Sequence, residues 1–230
     1  MDILYFAFLL TFLFTVVVQI KVSTTFKKFA HISSGTGRSG AQVARRILDA
    51  HGLFDVRIER VHGHLTDHYD PTSRVLRLSD SVHDSSSPSA VGVAAHEVGH
   101  AIQHAEAYAP IVWRTKLVPA VSFASRFSWI AIILGVFIMY MSTIVGSYLL
   151  LAGIVLFSAT TLFHLVTLPC EFNASRRALS ELELSGWYSQ SELGMSKQVL
   201  RAAAMTYVAA LAMSFIQLLR LLKIFTNRRD

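Results

Sequence analysis

The sequence is poor in charge and almost without cysteine. Charged residues make up 16% of its 230 residues, whereas hydrophobic residues make up 53%. Because soluble domains are typically about 25% charged, this composition is typical of a membrane protein. Cys170 is the single cysteine, which excludes an intramolecular disulfide and gives no sign of an oxidising compartment.

The sequence also lacks the features of a nucleic-acid-binding protein. Its net charge is +6, but the basic residues form no stripe interleaved with aromatic residues. They lie beside apolar segments, at Lys21, Lys27, Lys28, Arg114, Lys116, Arg126, Arg176 and Arg177. The glycine-rich run 35–40 has no Lys-Ser/Thr ending and no preceding strand, which excludes a phosphate-binding loop. The positive charges therefore indicate membrane topology.

Long apolar segments divide the chain. Residues 3–22 are long enough to cross a hydrocarbon core of about 30 Å, and the basic residues after them predict an anchor with its N-terminus outside. Residues 129–168 contain no charge and are about twice as long as one span, which predicts a transmembrane hairpin. The polar residues 23–128 are then expected to form a small domain facing the cytoplasm.

The last part of the chain, 169–230, ends in a mixed apolar stretch. Polar side chains interrupt residues 198–225 and cluster on one side of a helical wheel. If this stretch crossed the membrane, Lys223, Arg228 and Arg229 would lie outside, against the positive-inside trend. We expect a packed or interfacial helix, with a fourth span as the alternative.

The polar segment contains two predicted helices and two predicted strands. The patterns of residues 41–51 and 90–108 are helical, the second with a proline near its first turn. Residues 56–61 and 74–78 alternate apolar and polar side chains around an Asp-Pro turn, which predicts a β-hairpin or ribbon. The expected fold class is a mainly α membrane protein with a small α+β portion.

The second of these helices contains the motif His96-Glu97-Val98-Gly99-His100. Its four-residue spacing places both imidazoles on one helical face, where they can bind one metal ion. The glutamate lies on the adjacent flank and can reach a water on the metal without being a ligand. Zinc lowers the pKa of such a water towards about 7, so that a carboxylate can take its proton. The motif predicts zinc-dependent hydrolysis.

A catalytic zinc usually has three protein ligands, and the sequence offers three candidates for the third. Glu106 stands where the metzincin pattern has its last histidine, but Gln103 replaces the glycine that this pattern requires. His104 lies about 12 Å from His96 along the same helix, too far to share the metal. Glu171 opens a helical run after the apolar hairpin, and is either the third ligand or an interfacial anchor.

Another polar cluster lies between the two predicted strands. Its members are His64, Asp67, His68 and Tyr69. Such groups can stabilise an oxyanion, orient a metal ligand or line an edge strand that binds substrate, and a solvated turn is the alternative. Cys170, beside Glu171, is either a thiol near the metal or a buried structural cysteine.

Four runs of the sequence resemble, in this order, the YugP-like neutral zinc metallopeptidases. They are AQVARRILDAHGL, LTDHYDP, VAAHEVGHAIQHAE and LPCEFNASRRAL. The HEVGH motif, the apolar hairpin and EFNASRRA are also distantly similar to the HtpX-like and CAAX-prenyl endopeptidases. The resemblance implies a membrane metallopeptidase of the gluzincin type with a zincin-like catalytic portion, one Zn²⁺ per chain and protein or peptide substrates.

The resemblance also assigns roles to residues. It implies His96, His100 and Glu171 as zinc ligands and Glu97 as general base. Asn173 and His104 are further candidates for supporting a ligand or contacting substrate, and a surface position is the alternative for His104. The HtpX-like pattern has an aspartate four residues after the ligand glutamate, whereas this chain has Ser175. We expect that a hydroxyl cannot replace that carboxylate in orienting a histidine, so that another group must do so.

Two other functions fit parts of the sequence. A site-2 intramembrane protease also uses HExxH, but within a long apolar span, whereas the polar run 85–89 precedes this motif and Gln103, His104 and Glu106 follow it. A membrane adaptor that holds zinc for structure is the non-enzyme alternative, and it predicts that Glu97→Ala leaves function unchanged. The expected localisation is the cell membrane, as a multi-pass protein in the lipid bilayer without a nucleic-acid partner.

Overall fold

The computed structural model describes residues 3–227, which are mainly helical and include a small three-stranded sheet. The expected mainly α class is therefore confirmed. In chain order the elements are α1 (Ile3–Ala30), α2 (Gly40–Ala50), β1 (Arg57–Val61), β2 (His68–Asp70), β3 (Val75–Ser79), α3 (Asp80–His83), α4 (Pro88–Ala105), α5 (Ala109–Ile138), α6 (Thr143–Leu184) and α7 (Gln190–Thr226).

The chain divides into two compact units. The first, called the apolar unit here, contains the chain up to Val17, Trp113–Leu168 and the chain from Tyr207 onward. The second, called the polar unit, contains Val18–Val112 and Pro169–Thr206. The boundary within α6 falls at Pro169, whose missing N–H interrupts the helical hydrogen bonding at that point.

The apolar unit draws on four helices that are long and apolar enough to cross a membrane: α1, α5, α6 and α7. Large apolar side chains face outward, among them Phe12, Ile133 and Tyr148, which are 54%, 63% and 71% exposed. So much exposed apolar surface is unfavourable in water and is expected against lipid. The inclusion of α7 favours the fourth-span alternative, although Arg228 and Arg229, on which the charge argument depends, lie outside the described residues.

Helix α2 confirms the first helix predicted for the polar segment. Ser39 accepts a hydrogen bond from the Gln42 N–H, and the Gln42 side chain accepts one from the Ser39 N–H, so the two form a capping box. Val43, Ile47 and Leu48 are buried on one face of the helix. Their spacing is the helical periodicity from which the element was predicted.

The sheet has the strand order β1-β3-β2 and corrects the predicted hairpin. Both predicted strands exist, but β1 pairs with β3 in parallel, with Val61 opposite Ser79. The Asp-Pro turn joins β2 to β3, which are antiparallel. The carboxylate of Asp67 accepts hydrogen bonds from the Ser79 N–H at 2.7 Å and the Ser79 hydroxyl at 2.9 Å. This contact holds the 62–67 connection across the end of β3, so that β2 returns along its other side.

Helix α4 lies in the core of the polar unit. Ser87 caps it by accepting a hydrogen bond from the Ala90 N–H, and Pro88 occupies its first turn. Small buried residues such as Ala94 and Ala95 let neighbouring elements approach it closely. The core around it includes residues of α1, α2, β3, α3, α6 and α7: Phe26, Leu48, Leu76, Val82, Ala178, Leu182 and Leu200. The second predicted helix is confirmed, with its end at Ala105.

Candidate metal centre

Three side chains from two helices of the polar unit converge on one point. His96 and His100 lie on α4, and Glu171 lies on α6. The Oε2 atom of Glu171 is 3.2 Å from His96 Nε2 and 3.6 Å from His100 Nε2. Glu171 is only 1% exposed, and a buried carboxylate of this kind requires positive charge beside it.

The spacing of these atoms fits a zinc ion. Zinc bonds of about 2.0–2.1 Å in a tetrahedral arrangement separate neighbouring ligand atoms by about 3.3 Å, close to the two distances observed. Two imidazole nitrogens and one carboxylate oxygen are also a donor set that catalytic zinc uses, with a fourth position left for water or substrate. His96, His100 and Glu171 can therefore hold one zinc ion.

Each histidine of this group has a partner at its other ring nitrogen. The Nδ1 atom of His100 lies 3.0 Å from Oε1 of Gln103. The Nδ1 atom of His96 lies 3.1 Å from the hydroxyl oxygen of Ser175. Ser175, which stands where the HtpX-like pattern has an aspartate, therefore contacts His96, and its oxygen can accept a hydrogen bond from Nδ1–H. Both Nε2 atoms are thereby directed towards Glu171.

The electrostatics of the centre favour positive charge beside Glu171. Burial opposes ionisation of this carboxyl group, but hydrogen bonds and charges from His100 and His96 outweigh burial and lower the pKa of Glu171. Burial likewise opposes protonation of His100, yet hydrogen bonds to Cys170 and Glu171 and the charge of Glu171 raise its pKa to about 10. A divalent cation supplies the same charge, and its binding would release protons.

Glu97 lies beside this group without belonging to it. Its Oε2 atom accepts a hydrogen bond of 3.1 Å from the backbone N–H of Tyr69, a residue of the edge strand β2. Burial raises the pKa of Glu97, although the charges of His96 and His100 oppose the shift. A carboxyl group with a raised pKa accepts a proton from water more readily at neutral pH.

Close contact between α4 and α6 brings the three side chains together. A Cβ atom on Gly99 would lie 2.7 Å from the carbonyl oxygen of Ala174, nearer than real Cβ atoms come to backbone. Ala174 is itself completely buried and follows Glu171 by three residues. A glycine in the motif is therefore required for α6 to reach the position from which Glu171 faces both histidines.

The structure separates the members of the 64–69 cluster. Tyr69 contacts the centre through its backbone bond to Glu97. The Asp67 carboxylate accepts hydrogen bonds from Ser79, and burial raises the pKa of Asp67 in spite of these hydrogen bonds. His64 and His68 are exposed, and their Nδ1 atoms lie near the Ser81 hydroxyl and the Thr66 carbonyl. Asp67, His64 and His68 thus support the connection between the strands, and none of them is part of the metal centre.

The other sequence candidates lie near the centre in different ways. The ring of His104 is 6.0 Å from that of Tyr69. Glu106 pairs with Arg177 at 2.6 Å. Cys170 is buried, with its sulfur 3.3 Å from Oε1 of Gln103. None of these residues belongs to the convergent group, and His104 and Cys170 adjoin residues that contact it.

Sequence reasoning missed the roles of Gln103 and Ser175. Gln103 was considered only as a residue that breaks the metzincin pattern and as one of the polar residues after the motif, yet it is completely buried and hydrogen-bonded to His100. The sequence feature that could have revealed this role is a polar side chain on the buried face of a helix, three residues after a candidate ligand. Ser175 stands four residues after Glu171, one helical turn further along α6. This spacing is the sequence feature that could have predicted its position.

A polar unit with a candidate His₂Glu zinc centre, together with the four apolar helices found among residues 3–227, is the arrangement expected of a membrane metallopeptidase. Residues 4–226 match the model of the family described as "Putative neutral zinc metallopeptidase", and the chain belongs to this family. It is 48% identical over 213 residues to the "Putative membrane protease YugP" of Bacillus subtilis (strain 168), covering 92% of each chain. No solved structure matches the chain.

Proposed function

We propose that this protein is a membrane-bound zinc endopeptidase of the gluzincin type that hydrolyses peptide bonds. The observation that carries the proposal is the convergence of His96, His100 and Glu171 on one point, with the Glu97 carboxylate on the adjacent flank. Its family membership supports the same chemistry. The HExxH helix would then be that of a zincin-like catalytic portion.

In this proposal His96, His100 and Glu171 hold one zinc ion per chain. When bound, zinc supplies a Lewis acid that polarises the scissile carbonyl and lowers the pKa of water. Glu97 takes a proton from the attacking water and later donates it to the leaving amine nitrogen. The Tyr69 N–H keeps the Glu97 carboxylate in place before the reaction, because it occupies one lone pair of Oε2.

Tyr69 is the member of the 64–69 cluster best placed to meet a substrate. It lies in β2, an edge strand of the sheet, and its N–H points away from β3 towards Glu97. Because the N–H and C=O of one strand residue point in the same direction, its carbonyl faces the same side. Because the Tyr69 N–H is already hydrogen-bonded to Glu97, an extended peptide would pair with this edge through the Tyr69 carbonyl, next to Glu97.

The position of the motif disfavours intramembrane cleavage. Helix α4 is not one of the four apolar helices found among residues 3–227. It contacts α2, α3 and the sheet, all of which belong to the polar unit. We therefore propose substrates that reach the polar unit from the aqueous phase.

Zinc content tests the ligand set. We expect about one zinc per chain in the detergent-purified wild-type protein, measured by mass spectrometry, and loss of that zinc in His96→Ala and Glu171→Ala, because two ligands hold zinc far less tightly than three. The control is His104→Ala, which removes a histidine of the same helix and should retain zinc. Retention in Glu171→Ala would place the third ligand elsewhere, and a folded wild-type protein without zinc would overturn the proposal.

We also propose that the protein is multi-pass, with the polar unit in the cytoplasm, because basic residues flank the polar side of the apolar segments. Cys170 is the single cysteine and is buried, so new cysteines can be labelled selectively. Met141, between α5 and α6, is 82% exposed and Phe54 is 72% exposed. An impermeant maleimide should label Met141→Cys in intact cells and Phe54→Cys only after permeabilisation. Labelling of Phe54→Cys in intact cells, and of Met141→Cys only after permeabilisation, would show the opposite topology.

A further inference from the structure

The buried amide of Gln103 connects the two helices of the candidate metal centre. Gln103 is completely buried. Its Oε1 atom lies 3.0 Å from His100 Nδ1, and its Nε2 atom donates to the Cys170 carbonyl at 2.8 Å and to Asn173 Oδ1 at 2.9 Å. Cys170 and Asn173 flank Glu171 on α6, so one side chain contacts a candidate ligand on α4 and the segment that presents another.

The identities of these partners determine which way the amide points. A backbone carbonyl can only accept a hydrogen bond, so the nitrogen of the Gln103 amide must face Cys170. The oxygen of the same amide must then face His100. Because that oxygen can only accept, Nδ1 of His100 must carry the proton. In the neutral imidazole, which is the form that binds a metal, the lone pair of His100 therefore lies on Nε2, the atom directed at Glu171.

The outer end of this chain of bonds is equally unambiguous. Arg177 donates through Nε to Asn173 Oδ1 at 2.7 Å and pairs with Glu106 at 2.6 Å. A guanidinium group has donors and no acceptor, so it must face the oxygen of the Asn173 amide. That oxygen then accepts from Gln103 as well. His96 differs, because its Nδ1 partner is the Ser175 hydroxyl, which can rotate and act as donor or acceptor.

Resting on the zinc site proposed above, we propose that Gln103 is a positioning residue. It holds His100 in the tautomer whose Nε2 can bind zinc, and it holds the α6 segment that presents Glu171. A ligand histidine usually has its second nitrogen fixed by a carboxylate or a backbone carbonyl, and loss of that partner costs about 10–100-fold in metal affinity. Here a neutral side-chain amide fixes the second nitrogen of His100 and also holds the segment that presents Glu171.

The test compares two replacements of similar volume in the full-length protein, with zinc affinity measured by competition against a chelator. Gln103→Met fills the space but cannot accept the Nδ1–H bond, and we expect zinc to bind about 10–100-fold more weakly. Gln103→Glu retains an acceptor for Nδ1–H, so its zinc affinity should exceed that of Gln103→Met. A purely packing role predicts the reverse order, because methionine buries no charge.

Two further measurements and one control variant separate positioning from folding. The thermal unfolding midpoint of the zinc-depleted protein should fall in Gln103→Met, because the variant conserves core volume but leaves buried hydrogen-bonding groups unsatisfied. A midpoint that stays above the assay temperature shows that the weaker zinc binding is measured on folded protein. Glu106→Gln, at the exposed end of the same network, should keep wild-type zinc affinity. The visible spectrum of the cobalt-substituted protein should change in Gln103→Met and be restored towards the wild type in Gln103→Glu.

The inference is overturned if Gln103→Met binds zinc as tightly as the wild type, or if Gln103→Glu binds it more weakly than Gln103→Met. Its readout is independent of peptide cleavage. A wild-type protein that binds zinc at this site but hydrolyses no peptide would remove the proposed peptidase function and leave the inference intact. A wild-type protein without zinc would overturn both.

Discussion

Replacing Glu97 by glutamine is expected to lower kcat/KM for casein cleavage by about 10²–10⁴-fold, the range attributed to general acid–base catalysis. Glutamine cannot take a proton from water, but its amide oxygen can still accept the Tyr69 N–H bond that Glu97 Oε2 accepts now. The side chain should therefore keep its position. Zinc content, measured in the same samples, should remain about one per chain.

The matched control for this variant is Glu183→Gln. Glu183 lies on α6, is exposed and takes no part in the convergent group, so the same change of charge should leave cleavage unaltered. Loss of zinc in Glu97→Gln would show that Glu97 supports the ligands. Cleavage at the wild-type rate in Glu97→Gln, with zinc retained, would support the adaptor alternative and count against hydrolysis at this site.

Replacing Gly99 by alanine is expected to disrupt the centre without touching any ligand. The new Cβ would meet the Ala174 carbonyl oxygen at 2.7 Å, and backbone cannot yield as the end of a flexible side chain can. Overpacking of this kind costs about 1–3 kcal/mol of folding stability. Because α6 must move to relieve it, Glu171 moves away from the histidines, and zinc affinity should fall by about 10–100-fold.

Gly194→Ala is the control for this experiment. Gly194 is also helical, in α7, but nothing lies within 4 Å of a Cβ placed there. The substitution should stabilise the protein by about 0.5–1 kcal/mol, because alanine loses less conformational entropy in a helix than glycine. Thermal unfolding and zinc competition measure the two effects separately. Wild-type zinc affinity in Gly99→Ala would contradict a role for this close contact.

Local patterns predicted most of the secondary structure of the polar unit. The periodicity of Val43, Ile47 and Leu48 predicted α2, and alternation predicted β1 and β3. These signals depend on residues within one or two turns of each other, so they can be read without knowing the fold. The direction of pairing was wrong because alternation specifies which face of a strand is buried and says nothing about its neighbour.

The apolar segments show a similar limit. Length and absence of charge predicted the hairpin at 129–168 from composition alone, and the chain does turn between Ile138 and Thr143. The mixed stretch 198–225 was harder to interpret, because its polar residues lower its average hydropathy. In the structure it is part of the longer helix α7, which is apolar enough to cross a membrane by length and composition.

By itself, the sequence determined that this is a membrane protein and placed His96 and His100 on one helical face, because composition and a four-residue spacing are properties of the chain alone. Only the tertiary structure brought Glu171 to within 3.2 Å of His96, placed the Tyr69 N–H on Glu97 and gave each histidine its Nδ1 partner. Those contacts join residues from 3 to 79 positions apart along the chain. Most of them depend on the packing of α6 and β2 against α4, which no local pattern encodes.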